Sequence, residues 1–198
     1  MKKLMSIIFI LTLTQLSAAE DRILSYPNEL RDVVGKIEKS PEARDLIKQV
    51  QKEGRVGIIT SRDYKMNFSA FWDGENRQIT LNLSQQRSLG SIIRSIIFEL
   101  HNAASNSQFE DLYHKAMCGT ISRNQYILQM EQIEYSNALK AGEILTRGQR
   151  QGLFPTNIGM DIPSTFQEHF QIQCSMGHAE FHGNNYDVLS QMNGTLRA

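Results

Sequence analysis

The chain has 198 residues, 40% of them hydrophobic and 21% charged, with 21 basic residues against 21 acidic ones. That length supports a domain with a substantial core. With no net charge and no block of like charges, nothing points to nucleic acid or an anionic membrane as partner.

The first 19 residues read as a secretory signal peptide. Met1-Lys2-Lys3 is a short basic start, Leu4 to Leu13 an apolar run, and Ser17-Ala18-Ala19 a small-residue cleavage site. The apolar run is too short to remain as a membrane span. Residues 20–198 are predicted to form one exported domain, periplasmic or secreted. In such a compartment Cys118 and Cys174 are expected to pair in one disulfide, worth about 4 kcal/mol by loop closure.

In chain order, Leu30, Val33, Val34 and Ile37 predict a helix over 28–39. Ser40-Pro41 opens a second helix, with Ala43, Leu46, Ile47 and Val50 as its apolar stripe and Gly54 as its stop. The period then changes. Val56 to Thr60 is a short strand, and Met66, Phe68, Ala70 and Trp72 alternate with Lys65, Asn67, Ser69 and Phe71 as a second. Asp73-Gly74 makes a hairpin turn, and Ile79, Leu81 and Leu83 alternate on a third strand, giving a small antiparallel sheet. A helix over Ser91–Ala104 follows, then one or two turns over Phe109–Met117. Ser122 and Gln125 form a capping box that starts a long helix running to about Arg147. Glycines and prolines predict a loop over 148–163, then a short helix over Ser164–Gln173 and an irregular tail from Cys174.

Two carboxylates stand out. On the helical wheel of Ser91–Ala104, the apolar residues fill an arc of roughly 140°, and Glu99 lies about 20° outside one edge. On the long helix Glu134 falls inside the apolar arc with Asn137, and Glu131 just past it. A carboxylate on a buried stripe must be paired, hydrogen-bonded, metal-bound or protonated. Glu99 and Glu134 are therefore expected to face a shared interior or cleft, unless Glu134 ties helix to helix through a partner such as Arg94. His178 and His182 have the i, i+4 spacing of a metal pair, with Cys174 four residues earlier. Gly177 and Gly183-Asn184-Asn185 argue against a helix there, so these residues are read as a polar tail. His114 and His169 are read as surface or structural residues.

This order of elements, from Ser40 to Gly148, resembles the zincin metallopeptidase superfamily. In that family an H-E-x-x-H helix presents two zinc ligands and a general base, and a later helix supplies an acidic ligand. Here Phe98-Glu99-Leu100-His101-Asn102 falls on the motif. Glu99 matches the general base and Glu134 the downstream ligand, with Glu131 as the other choice. Phe98 and Asn102 stand where the two histidines should be, and His101 points roughly 160° away from Glu99. The resemblance implies an α+β, zincin-like fold in which a small antiparallel sheet packs on the motif helix and the long downstream helix. It also implies a degenerate site of Glu99, Asn102 and Glu134 that holds no metal or other cofactor. The function expected from it is a non-catalytic cleft that binds a peptide or protein. The alternative is a divergent hydrolase or metallopeptidase working from an acidic site built on Glu99 and Glu134.

Overall fold

The computed structural model describes residues 24–65, 68–84 and 87–196, with side chains through Met192. The predicted signal peptide and Met66 lie outside these residues. A 3-10 turn at Asn28–Leu30 leads into α1 (Arg31–Ile37) and α2 (Pro41–Gln51). The strands β1 (Gly57–Ser61), β2 (Ala70–Asp73) and β3 (Gln78–Asn82) follow, then α3 (Leu89–Ala104), α4 (Asn106–Cys118), α5 (Arg123–Arg150), α6 (Phe166–Ser175) and α7 (His178–Leu196). The fold is α+β, as expected. No helix among the described residues is long and apolar enough to cross a membrane.

The sheet is mixed rather than wholly antiparallel. Its order is β1-β3-β2, with β3 parallel to β1 (Ile58 beside Ile79) and antiparallel to β2 (Trp72 beside Ile79). Burial explains why β3 takes the centre. Ile79 and Leu81 are fully buried and Thr80 and Asn82 nearly so, whereas β2 exposes Phe71. A strand covered on both faces belongs inside a sheet. β2 is correspondingly shorter than the alternation suggested, and it forms an outer edge.

The main core lies between the sheet and the helices. Ile58, Ile79 and Leu81 meet Ile93, Ile96, Ile97 and Leu100 of α3, with α1 and α2 on the flank and Ala141 and Leu145 of α5 behind. Burying each large aliphatic side chain contributes roughly 1.5–3 kcal/mol, so α3 is pinned through its whole apolar face. A second cluster joins Phe109 and Leu112 of α4 to Tyr126 and Met130 of α5, with Tyr186 and Leu189 of α7 packed on it. The capping box at Ser122 and Gln125 forms as predicted, and α5 runs to Arg150.

Two further expectations are corrected. Cys118 and Cys174 are both exposed free thiols, so the predicted disulfide is not formed. The tail after Cys174 is not irregular. Gly177, at φ 80°, turns the chain out of α6, and helix restarts at once as α7. Packing supplies what local propensity lacks there. The Tyr186 hydroxyl donates to the Ile121 carbonyl at 3.0 Å, and Arg123 at the start of α5 pairs with Asp187 at 3.2 Å and Glu180 at 3.1 Å.

Candidate metal centre

Two helices aim polar groups at one point. α5 contributes Glu131 and Glu134, one turn apart, and α7 contributes His178 and His182, also one turn apart. One donor atom from each of these four lies within 4.8 Å of every other. Nε2 of His182 is 3.5 Å from a Glu134 oxygen and 3.9 Å from Glu131 Oε1. Nε2 of His178 is 3.8 Å from Glu134, while its Nδ1 is 2.9 Å from Glu131 Oε1. Ligands about 2.0–2.1 Å from a tetrahedral zinc are about 3.3 Å from one another, so this spacing needs only small closure around an ion.

The hydrogen-bond inventory fits the same reading. Glu131 is fully buried, yet its Oε2 has no hydrogen-bond partner, and neither does either ring nitrogen of His182, which is 3% exposed. His169 of α6 is also buried, with Nε2 3.4 Å from Glu131 Oε2 and likewise unpartnered. Buried polar atoms left without partners are costly and uncommon. A cluster of them around two carboxylates and two imidazoles fits a cation of the zinc type. Imidazole nitrogens favour such an ion over calcium or magnesium, which take oxygen ligands.

The electrostatics are set by the same contacts. Burial raises the Glu134 carboxyl, but the nearby His182 imidazole, 3.5 Å away, and the charges of His178 and His169 outweigh it and leave it below the usual range. Burial lowers the His178 imidazole, but its bond to Glu131 and the charges of Glu134, Glu131 and Glu99 raise it overall.

Glu99 and Asn102 lie on α3 and line the same cavity as Glu134, His178 and His182. Glu99 is 5% exposed, deeper than the rim position expected for it. Burial chiefly pushes its carboxyl up to about 8, with a smaller push from Glu134, against hydrogen bonds from Asn102 and the Trp72 backbone N–H. A buried relay fixes its orientation. The Ser105 hydroxyl donates to Asn137 Oδ1 at 3.0 Å, Asn137 Nδ2 donates to Asn102 Oδ1 at 3.0 Å, and Asn102 Nδ2 donates to Glu99 at 2.9 Å. Asn102, which replaces a ligand in the resemblance, thus orients Glu99 and stitches α3 to α5. His101, which the wheel turns away from Glu99, does not line this cavity, and its imidazole feels the charge of Lys140 on α5.

The structure brings together Glu99, Asn102 and Glu134 around one cavity, as expected. It differs on the rest of the site. Glu131 is more buried than Glu134, because α6, in the place predicted for a short helix, and α7, where an irregular tail was expected, cover that flank of α5. Arg94 does not pair with Glu134; it donates to the Gly159 carbonyl at 3.2 Å. A site without metal ligands was expected, yet His178 and His182 supply two imidazoles, and His169, read as isolated, contacts Glu131. The signal that would have found them is the pairing of His-x3-His with Glu-x2-Glu, since each spacing places both side chains on one helical face. No family model, no curated protein and no solved structure matches the chain.

Proposed function

We infer that the protein is a metal-dependent hydrolase acting on peptide-like amide bonds, with Glu134, His178 and His182 as ligands and Glu99 as general base. The observation that carries this reading is the convergence of Glu131, Glu134, His178 and His182, with buried unpartnered atoms, beside a cavity that also holds Glu99. The ground for expecting a non-catalytic protein was the loss of both histidines from α3, and α7 provides two imidazoles from elsewhere. The zincin-like resemblance survives in this reading as a general-base Glu on the helix beneath an edge strand, with the ligand helix relocated.

Roles follow from position. Nε2 of His178 faces Glu134 while Nδ1 meets Glu131, so Glu131 sets the ring's tautomer and orientation from outside the ligand set. Three protein ligands leave a position open to the cavity, the pattern of a catalytic rather than a structural site. A bound ion there supplies Lewis acidity to a substrate carbonyl and to water. Glu99, its ionised form favoured by the charge of a bound ion, would then take a proton from water and pass it to the leaving amine, its carboxylate held by Asn102 and the Trp72 N–H.

Zinc titration of the purified protein by calorimetry tests the centre. One zinc per chain is expected, with affinity falling at least about 100-fold in His182→Ala and Glu134→Gln, and about 10- to 100-fold in Glu131→Gln, as for an outer-shell partner. Glu99→Gln should retain zinc while losing about 10²–10⁴ in hydrolysis. Zinc binding indifferent to His182→Ala would end this assignment. A second reading, a non-catalytic cleft that binds a peptide, is favoured by one observation: Phe98, apolar and half-buried, stands where the resemblance places a ligand. Peptide bound but never cut by the zinc-loaded protein is its expected signature.

A further inference from the structure

Two cavities meet at the metal centre. One, of about 770 Å³, lies between the approach to β2 and helices α3, α4 and α7; the other, of about 430 Å³, lies between α6 and the segment 160–163. Phe98 and Glu134 line both, so Glu134 is reached from two sides.

Among the described residues, neither lining contains Lys or Arg. Besides Glu99 and Glu134, the larger cavity carries Asp73, Glu75 and Glu110, and the smaller one carries Asp161 and Glu168. Asp73 accepts from Asn76 Nδ2 at 2.8 Å and from its backbone N–H at 3.1 Å, which holds its carboxyl below the usual range and keeps it ionised at neutral pH. Phe71, Phe109, Tyr113 and Phe181 stand among these carboxylates. Aromatic faces beside carboxylates attract a cation on an apolar stem and repel an anion. The acidic lining does not stand alone: His182, buried with both ring nitrogens unpartnered, lines the same cavity. The smaller cavity is walled by Ile162, Pro163, Ile172 and Met176, which suit an apolar side chain.

The geometry also limits how a chain enters. Outside the metal centre, no Lys or Arg among the described lining residues stands where it could hold a terminal carboxylate. Space on both sides of Glu134 lets a chain continue in both directions. The outer edge of β2 has no partner strand among the described residues, so its backbone can pair with an extended segment.

We propose that the substrate is an extended polypeptide cut internally, with a Lys or Arg side chain in the aromatic, acidic cavity and an apolar side chain in the smaller one. This rests on the reading of the centre as a metal-dependent hydrolase. The water oxygen bonds to the carbonyl carbon and the C–N bond breaks. Both water protons end on the leaving nitrogen, giving a carboxylate and an ammonium.

The test uses the zinc-reconstituted full protein and two ten-residue peptides, blocked at both ends, that differ only in a central Lys-Leu or Glu-Leu pair. Zinc content is measured on the same samples, and products are identified by mass. Internal cleavage is expected, at least about tenfold faster in kcat/KM for the Lys peptide. Glu110→Lys and Glu75→Lys should each shrink that ratio by raising KM for the Lys peptide, with zinc retained. Stoichiometric zinc with both peptides uncut, or cut at equal rates, overturns the substrate proposal and leaves the metal centre standing. Failure to bind zinc overturns the metal centre and this proposal together.

Discussion

His101 and Asn102 are neighbours on α3 with opposite fates, set by where the helix turns each of them. Asn102 finds partners for both ends of its amide, Glu99 on one side and Asn137 on the other. His101 is buried with Nε2 unpartnered, and burial, reinforced by the charge of Lys140, lowers its imidazole from 6.5 to about 4. The sign of its effect on stability follows. A folded value below the unfolded one means that the unfolded chain binds the extra proton between these limits. Stability is therefore fully present above pH 6.5 and is lost as pH falls towards 4. The loss is on the order of 2–3 kcal/mol. Urea midpoints at pH 7, 5.5 and 4 check it: His101→Leu should lose less stability across that range than the parent. Equal losses in the two proteins would show that His101 does not titrate in this way. The wheel already turned His101 away from Glu99, because that requires only helical geometry; its solvation depends on what α5 lays over it.

At the level of elements, what was legible follows how local the determinants are. The α3 stripe, the Ser40 and Ser122 caps and the turn at Asp73 are written in spacings of two to four residues, and all are present. The central place of β3 and the helical state of α7 are tertiary facts. Gly177 does break the helix, as its residue type suggests, but the chain restarts on the next residue because Tyr186 and Leu189 have a cluster to join. Half of the candidate site depends on that packing and not on local sequence, since His178 and His182 ride on α7. Packing rather than charge should then hold α7. Tyr186 lies against Tyr126 with ring centroids 5.6 Å apart. Tyr186→Ala, at a partly buried position, should cost about 2–3 kcal/mol and weaken zinc binding by loosening the helix that carries both imidazoles. Arg123→Ala breaks only part-exposed ion pairs and should destabilise clearly less than Tyr186→Ala. Chemical denaturation and zinc titration of the two variants check this, and a larger effect from Arg123 would reverse the ranking.

Across the whole molecule the metal centre also acts as a fastener. Its donors come from α5, in the middle of the chain, and from α7 at the end of the described residues, while α3, between the sheet and α5, carries Glu99, the proposed general base. An ion bound to the folded chain but not to the unfolded one stabilises by linkage, by about 4 kcal/mol when free zinc exceeds its dissociation constant 1,000-fold. In a protein of this size each kcal/mol moves the melting temperature by about 2–4 °C, so zinc should raise it by about 8–16 °C and a chelator should reverse the gain. Glu134, His178 and His182 then become ligands, with Glu131 held against the His178 ring, which is why the shift should largely vanish in a His178→Ala/His182→Ala double variant. That variant also makes the reading falsifiable in the other direction. If the four groups are a structural ion-pair cluster with no affinity for metal, zinc will leave the parent's melting temperature unchanged, and removing both imidazoles will lower it with or without zinc, because buried Glu131 then loses two of the three imidazoles around it. Calorimetric melts of the parent and the double variant, each with zinc and with chelator, separate the fastener from the cluster.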